Sequence, residues 1–106
     1  MSTERIVMVG YKPLPGKSEA LKELMKTHVV RLRKQGLVSD REPILMESKS
    51  GTIIEVFGWK SKEAIAAAHS NSEVQKMWGE YAEVCEYVPV GTLEETGSLF
   101  SEFTPV

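Results

Sequence analysis

Two stretches of this chain are apolar in both alternating sets of side chains. They are Arg5 to Lys12 (RIVMVGYK) and Thr52 to Trp59 (TIIEVFGW). Both are rich in β-branched residues, carry no helical stripe, and read as strands with apolar side chains on each face. In the second, Ile54 and Val56 share one face while Ile53, Phe57 and Trp59 share the other. Glu55 is the exception and needs a partner or a wet edge. A sheet built from such strands has to be covered on both sides. A chain of 106 residues makes one domain and one helical layer, which leaves a face to be met by something else.

The rest of the chain supplies the helical layer. Pro13-Leu14-Pro15-Gly16 ends the first strand, because it cannot continue a ladder. From about Ser18 to Gln35, Leu21, Leu24, Met25, His28, Val29 and Leu32 recur at helical spacing, with lysines, arginines and Glu23 opposite. Basic residues crowd the last turns and Gly36 stops the helix. A polar loop at residues 39–42 leads to a second strand over residues 44–49, and Ser50-Gly51 reads as a tight turn. Ser61 caps a short helix to about His69, with Ala66-Ala67-Ala68 favouring helix and close packing. Ser70 and Glu73 stand at capping-box spacing before a third helix, about Glu73 to Glu86, with Val74, Met77, Trp78, Tyr81, Val84 and Cys85 inward. Val88 to Glu94 reads as a fourth strand. Leu99, Phe100, Phe103 and Val106 make a free tail improbable, so residues 97–106 are expected to form an arm that docks on its own or a partner subunit, beside a domain of residues 1–96.

The order β-α-β-β-α-α-β predicts an α+β, ferredoxin-like four-stranded antiparallel sheet with helices on one face. The economical cover for the open face is a second copy of the chain, as a two-fold homodimer. A formal net charge of −2 argues against a binder that neutralises nucleic-acid phosphates. An RNA-recognition sheet needs exposed aromatic residues beside basic ones, whereas Thr52 to Phe57 is aliphatic and acidic. No apolar run is long enough to span a membrane, and no signal segment follows the polar N-terminus. Cys85 is the one cysteine, so no internal disulfide forms and a cytoplasmic setting is expected. It lies on an apolar face without a basic neighbour and reads as packing.

Over residues 5–93 the chain resembles the antibiotic biosynthesis monooxygenase (ABM) family of the dimeric α/β-barrel superfamily. The likeness is sharpest at Phe57-Gly58-Trp59-Lys60-Ser61-Lys62-Glu63-Ala64-Ile65 and at Ala68-His69-Ser70-Asn71-Ser72. It departs at residues 36–43, which are longer and more charged than the turn often found there. The resemblance implies a cavity between the sheet and its own helices, and cofactor-free oxygenation of phenolic or quinol substrates. The haem-degrading branch is disfavoured: the neighbourhoods where it carries its ligand and contacts hold Val9 and Gly10, Ala68, and Gly79.

Two histidines are the candidate catalytic groups. His28 sits on the apolar stripe of the first helix and should face the sheet, where an imidazole could take a phenol proton. The bland alternative is a buried histidine bonded to a backbone carbonyl or to Glu55. His69 matches the family pattern, yet at a helix C-terminus it could simply stabilise the dipole, by roughly 0.3–1 kcal/mol. Tyr11, Trp59, Trp78 and Tyr81 could wall a site for a planar aromatic ligand, or could all be core. Two histidines and one cysteine make no recognisable metal set. Pro15-Gly16-Lys17-Ser18 lacks the first glycine of a phosphate loop. No cofactor is expected. The reading is thus a small cofactor-independent monooxygenase, with a non-catalytic ligand-binding or stress-related dimeric barrel as the alternative.

Overall fold

In the computed structural model, which describes residues 2–106, the elements run β1 (Arg5–Pro13), α1 (Ser18–Lys34), β2 (Ile44–Glu47), β3 (Ile53–Trp59), α2 (Lys62–Ala68), α3 (Ser72–Ala82), β4 (Cys85–Val88) and β5 (Thr104–Pro105). All strand pairs are antiparallel, in the order β4-β1-β3-β2-β5. The first four make the ferredoxin-like sheet, and β5 adds a fifth strand at the edge. The longest ladder pairs β1 with β3 from Arg5–Trp59 to Tyr11–Ile53, so the two doubly apolar strands lie side by side in the middle of the sheet.

Local chemistry sets most boundaries. Leu21, Met25, His28, Val29 and Leu32 are the buried stripe of α1, and Gly36 takes the left-handed conformation (φ +72°) that ends it. Ser61 caps α2 by accepting the Ala64 N–H. The cap of α3 is Asn71, which accepts the Val74 N–H; the Ser70 capping box predicted from spacing does not form. Helix α3 also stops at Ala82, short of Glu86, and the fourth strand is Cys85–Val88 rather than residues 88–94. The free edge of β1 decides this. It pairs Pro13 with Cys85 through Gly10 with Val88, and ladder hydrogen bonds there override the helical period of the segment. Gly10 permits the approach, since a Cβ would lie 2.5 Å from the Val88 carbonyl oxygen. Residues 90–92 and 94–97 form short 3-10 turns instead of strand.

The two faces differ. On the helical side Tyr11, Ile53, Phe57 and Trp59 join Leu21, Leu32, Val74, Met77 and Tyr81 in one core. On the other side Ile6, Met8 and Ile44 are more than half exposed. The chain leaving β4 crosses to the opposite edge at the β2–β3 turn, where Glu95 accepts the Lys49 N–H. Ile54, near that end of the open face, is fully buried. The arm then pairs with β2, and the Val106 N–H donates to the Leu45 carbonyl. Its docking is therefore a main-chain matter. Leu99 and Phe100 are 92% and 80% exposed, Val106 is half-exposed, and Phe103 is the most covered of the four apolar side chains.

At the sheet rim Glu4 accepts hydrogen bonds from Arg41 and Ser39, which tie the charged loop to β1. The Arg41 guanidinium, then the Ser39 hydroxyl, hold its carboxyl down at about 2. No described helix is long and apolar enough to cross a membrane.

Candidate functional site

Register and helical phase together put an acid and a base inside the core. Glu55 faces the helices because it shares a strand face with Ile53 and Phe57, both core residues, and it is completely buried. An unpaired carboxylate there would be costly. Its Oε1 lies 2.7 Å from His28 Nδ1 and accepts the Tyr11 hydroxyl at 2.9 Å. Its Oε2 is sealed and has no hydrogen-bond partner among the described residues. Burial, and next the Glu55 charge, push the Tyr11 phenol far up, so Tyr11 stays a donor. With Oε1 accepting, His28 donates through Nδ1–H, and whenever the ring is neutral Nε2 is its acceptor. The ring is held edge-on between Phe57 and Tyr81, each 5.3 Å away between centroids.

His28 borders a cavity of about 360 Å³ between sheet and helices. Val7, Val9 and Ile65 make its aliphatic wall, and Phe57, Trp59 and Trp78 its aromatic one; Tyr11 and the half-exposed Tyr87 complete it. No lysine, arginine or acid lines it. Besides His28, the lining residues that carry a polar atom in the side chain are Tyr11, Trp59, Trp78 and Tyr87. Burial, then Cys85 and Glu55, raise the Tyr87 hydroxyl to about 12. A space of this size and lining suits a small planar molecule. A groove of about 790 Å³ runs along the outside of α1 and α3, but it is lined by Glu23, Lys26, Arg31, Lys34, Glu80 and Glu83 and holds no buried titratable group.

The structure thus gathers four of the sequence candidates, His28, Tyr11, Trp59 and Trp78, around one cavity. His69 lies outside it, exposed, with Nδ1 3.0 Å from the Ile65 carbonyl and its ring against the edge of Trp78. Tyr81 is wholly buried behind the site, stacked on Tyr11 at 5.4 Å. It supports the wall rather than forming it. Sequence reading missed Val7, Val9, Phe57, Ile65 and Tyr87 as lining residues; Tyr87 follows only from the placement of β4, opposite Tyr11 in the ladder. Glu55 was marked by being the lone acid in an apolar strand. Cys85 is buried, with its thiol raised to about 11 by desolvation and then by Glu86, which fits packing and not attack. Among the described residues no three His, Cys, Asp or Glu side chains gather as a metal would require. Val9 lines the cavity, Ala68 is buried core, and Gly79 has open space around it.

Fold and site together define a ferredoxin-like α+β chain with a buried histidine–carboxylate pair opening on an aromatic cavity. The same fold is found in two solved structures. Rv0793 from Mycobacterium tuberculosis superposes with a TM-score of 0.64 at 17% identity, covering 80% of this chain and 88% of its own. A candidate antibiotic biosynthesis monooxygenase from Nitrosomonas europaea superposes with a TM-score of 0.62 at 13% identity, covering 83% of this chain and 88% of its own. The fold is therefore ABM-like. No family model matches the chain, and no curated protein matches it in sequence.

Proposed function

We propose that this protein is a homodimeric, cofactor-independent monooxygenase of phenolic or quinol-type aromatic substrates, with His28 as its base. The observation that carries the reading is the Glu55–His28 pair, which leaves Nε2 of a core histidine facing an apolar aromatic cavity. Nε2 takes the substrate hydroxyl proton, and Glu55 stabilises the resulting imidazolium. The phenolate, stripped of water and held against the tryptophans, passes electrons to dioxygen, and a carbon–oxygen bond forms at the ring. His28 returns its proton to the peroxide. Loss of the ring hydrogen with cleavage of the O–O bond then yields a quinone and one water, so each phenol consumes one dioxygen. Trp59, Trp78 and Tyr87 orient the ring, Tyr11 positions Glu55, and Tyr81 backs Tyr11.

The exposed Ile6, Met8 and Ile44 support pairing of two copies through the open sheet face, and the single buried thiol suits a reducing, cytoplasmic setting. Oxygen uptake with metal-stripped protein and a panel of aromatic quinols tests the chemistry. Uptake above buffer is expected, falling by about 10²–10⁴-fold in His28→Ala and unchanged in His69→Ala. Uptake equal to buffer across the panel would remove the enzyme reading.

A second reading is a ligand-binding or stress-related dimeric barrel without turnover. Its support is that Glu55 and His28 satisfy each other's burial, which a binding protein needs equally. Thermal stabilisation by the same quinols, without oxygen uptake and insensitive to loss of His28, is its signature.

A further inference from the structure

Behind the cavity wall the buried ionisable partner of His28 is an acid, and no lysine or arginine among the described residues answers it within the site. Glu55 Oε1 takes both donated protons and Oε2 takes none. No lysine or arginine lines the cavity. The nearby cations of α1 are committed elsewhere: Lys22 lies 3.4 Å from Glu47, and Arg31 makes two hydrogen bonds to Glu80.

When a neutral ligand gives its hydroxyl proton to His28, charge only moves within the site. The carboxylate, the imidazolium and the new oxyanion then alternate in sign. A ligand that already carries a carboxylate adds a further negative charge where one cation must serve three anions. That charge also loses its water on entry, in surroundings that screen it poorly.

Resting on the aromatic-ligand reading above, we propose that Glu55 makes this cavity a charge filter, which takes neutral planar aromatic molecules bearing an acidic hydroxyl and excludes their carboxylated counterparts. Glu55 is thereby a specificity-determining residue as well as the group that holds His28.

The test is calorimetric titration of the full chain with a hydroxynaphthamide and with the hydroxynaphthoate of the same substitution pattern. The two match in size and differ in charge. Near pH 7.5 both hydroxyls stay protonated while the acid is ionised. The two tryptophans of the chain both border the cavity, so indole fluorescence gives a second readout. The wild type should bind the amide tighter by about tenfold or more. Glu55→Gln removes the charge and should bring the ratio to within about threefold. Tyr87→Arg, placed at the half-exposed rim, supplies the missing cation without touching the buried pair. It should narrow the ratio likewise, which keeps the proposal testable if Glu55→Gln fails to fold. Equal binding of both compounds by the wild type, or a ratio unmoved in the folded variants, overturns the filter while the cavity stands as a ligand site. Binding of neither compound overturns the filter together with the reading beneath it.

Discussion

The two faces of the central strands are made of similar residues and have opposite fates. On β1, Val7, Val9 and Tyr11 alternate with Ile6, Met8 and Gly10. The first set looks onto the helices, pairs with Phe57, Glu55 and Ile53 of β3, and borders the cavity. The second set leaves Ile6 and Met8 more than half exposed. Hydrophobicity does not separate the faces. What separates them is that one has three helices to meet it and can shelter ionisable groups, while the other has only the crossing arm at one end. The covered face therefore holds the buried ionisable groups, and the bare face is the one proposed to pair with a second copy.

The largest expected effect breaks the covered face. Removing one member of a buried pair strands the other, so Glu55→Ala or His28→Ala should cost about 3–5 kcal/mol in urea unfolding. The triple replacement His28→Leu, Glu55→Leu and Tyr11→Phe should recover much of that loss, because the three bonded polar groups go together. Additive losses would show that the three groups do not act as a unit.

Substitution on the bare face should leave the fold nearly untouched. Met8→Lys combined with Ile44→Lys should change the stability of the isolated chain by no more than about 0.5 kcal/mol per site. The same pair of changes should abolish association in sedimentation at micromolar concentration. A wild type that sediments as a folded single copy would remove the contrast between the faces.

The mildest effect sharpens the comparison by pH. Tyr11, Tyr81, Cys85 and Tyr87 all belong to the covered side, and burial is the first cause raising each of them, Cys85 to about 11 and Tyr87 to about 12. A group whose folded value is raised contributes stability that is present below its unfolded value. That contribution is lost as pH rises through the folded one. Unfolding free energy should thus hold up to about pH 8 and fall progressively above it, as the unfolded thiol ionises at about pH 8.5. Cys85→Ala should blunt the first part of the decline, and a flat alkaline profile would contradict the assignment.

Much of this molecule was legible in its residues. The stripe on α1 forecast the helix to within a residue, and it forecast that His28 would point at the sheet. The lone acid of β3 and the lone histidine of that stripe each required a partner, and each is the other's. The end of α3 was not legible, because Val84, Cys85 and Tyr87 fit a helical face as readily as a strand until β1 presents an edge. Nor was the separation of the histidines. His69 fits a family pattern and yet ends a seven-residue helix whose C-terminal side chain turns to solvent.

By itself the sequence determined the period of each element, the caps at Ser61 and the glycine stop at Gly36, and the presence of an apolar face in excess of the helices. These are local: they depend on neighbours a few positions away, whose spacing the chain states outright. Only the tertiary structure decided which residues share a cavity, that Tyr87 stands in it and Tyr81 behind it, and that Glu55 is answered by Tyr11 and His28. Such contacts depend on ladder register and on the phase at which a helix meets a sheet, where a shift of a single residue would turn every one of those side chains to the other face.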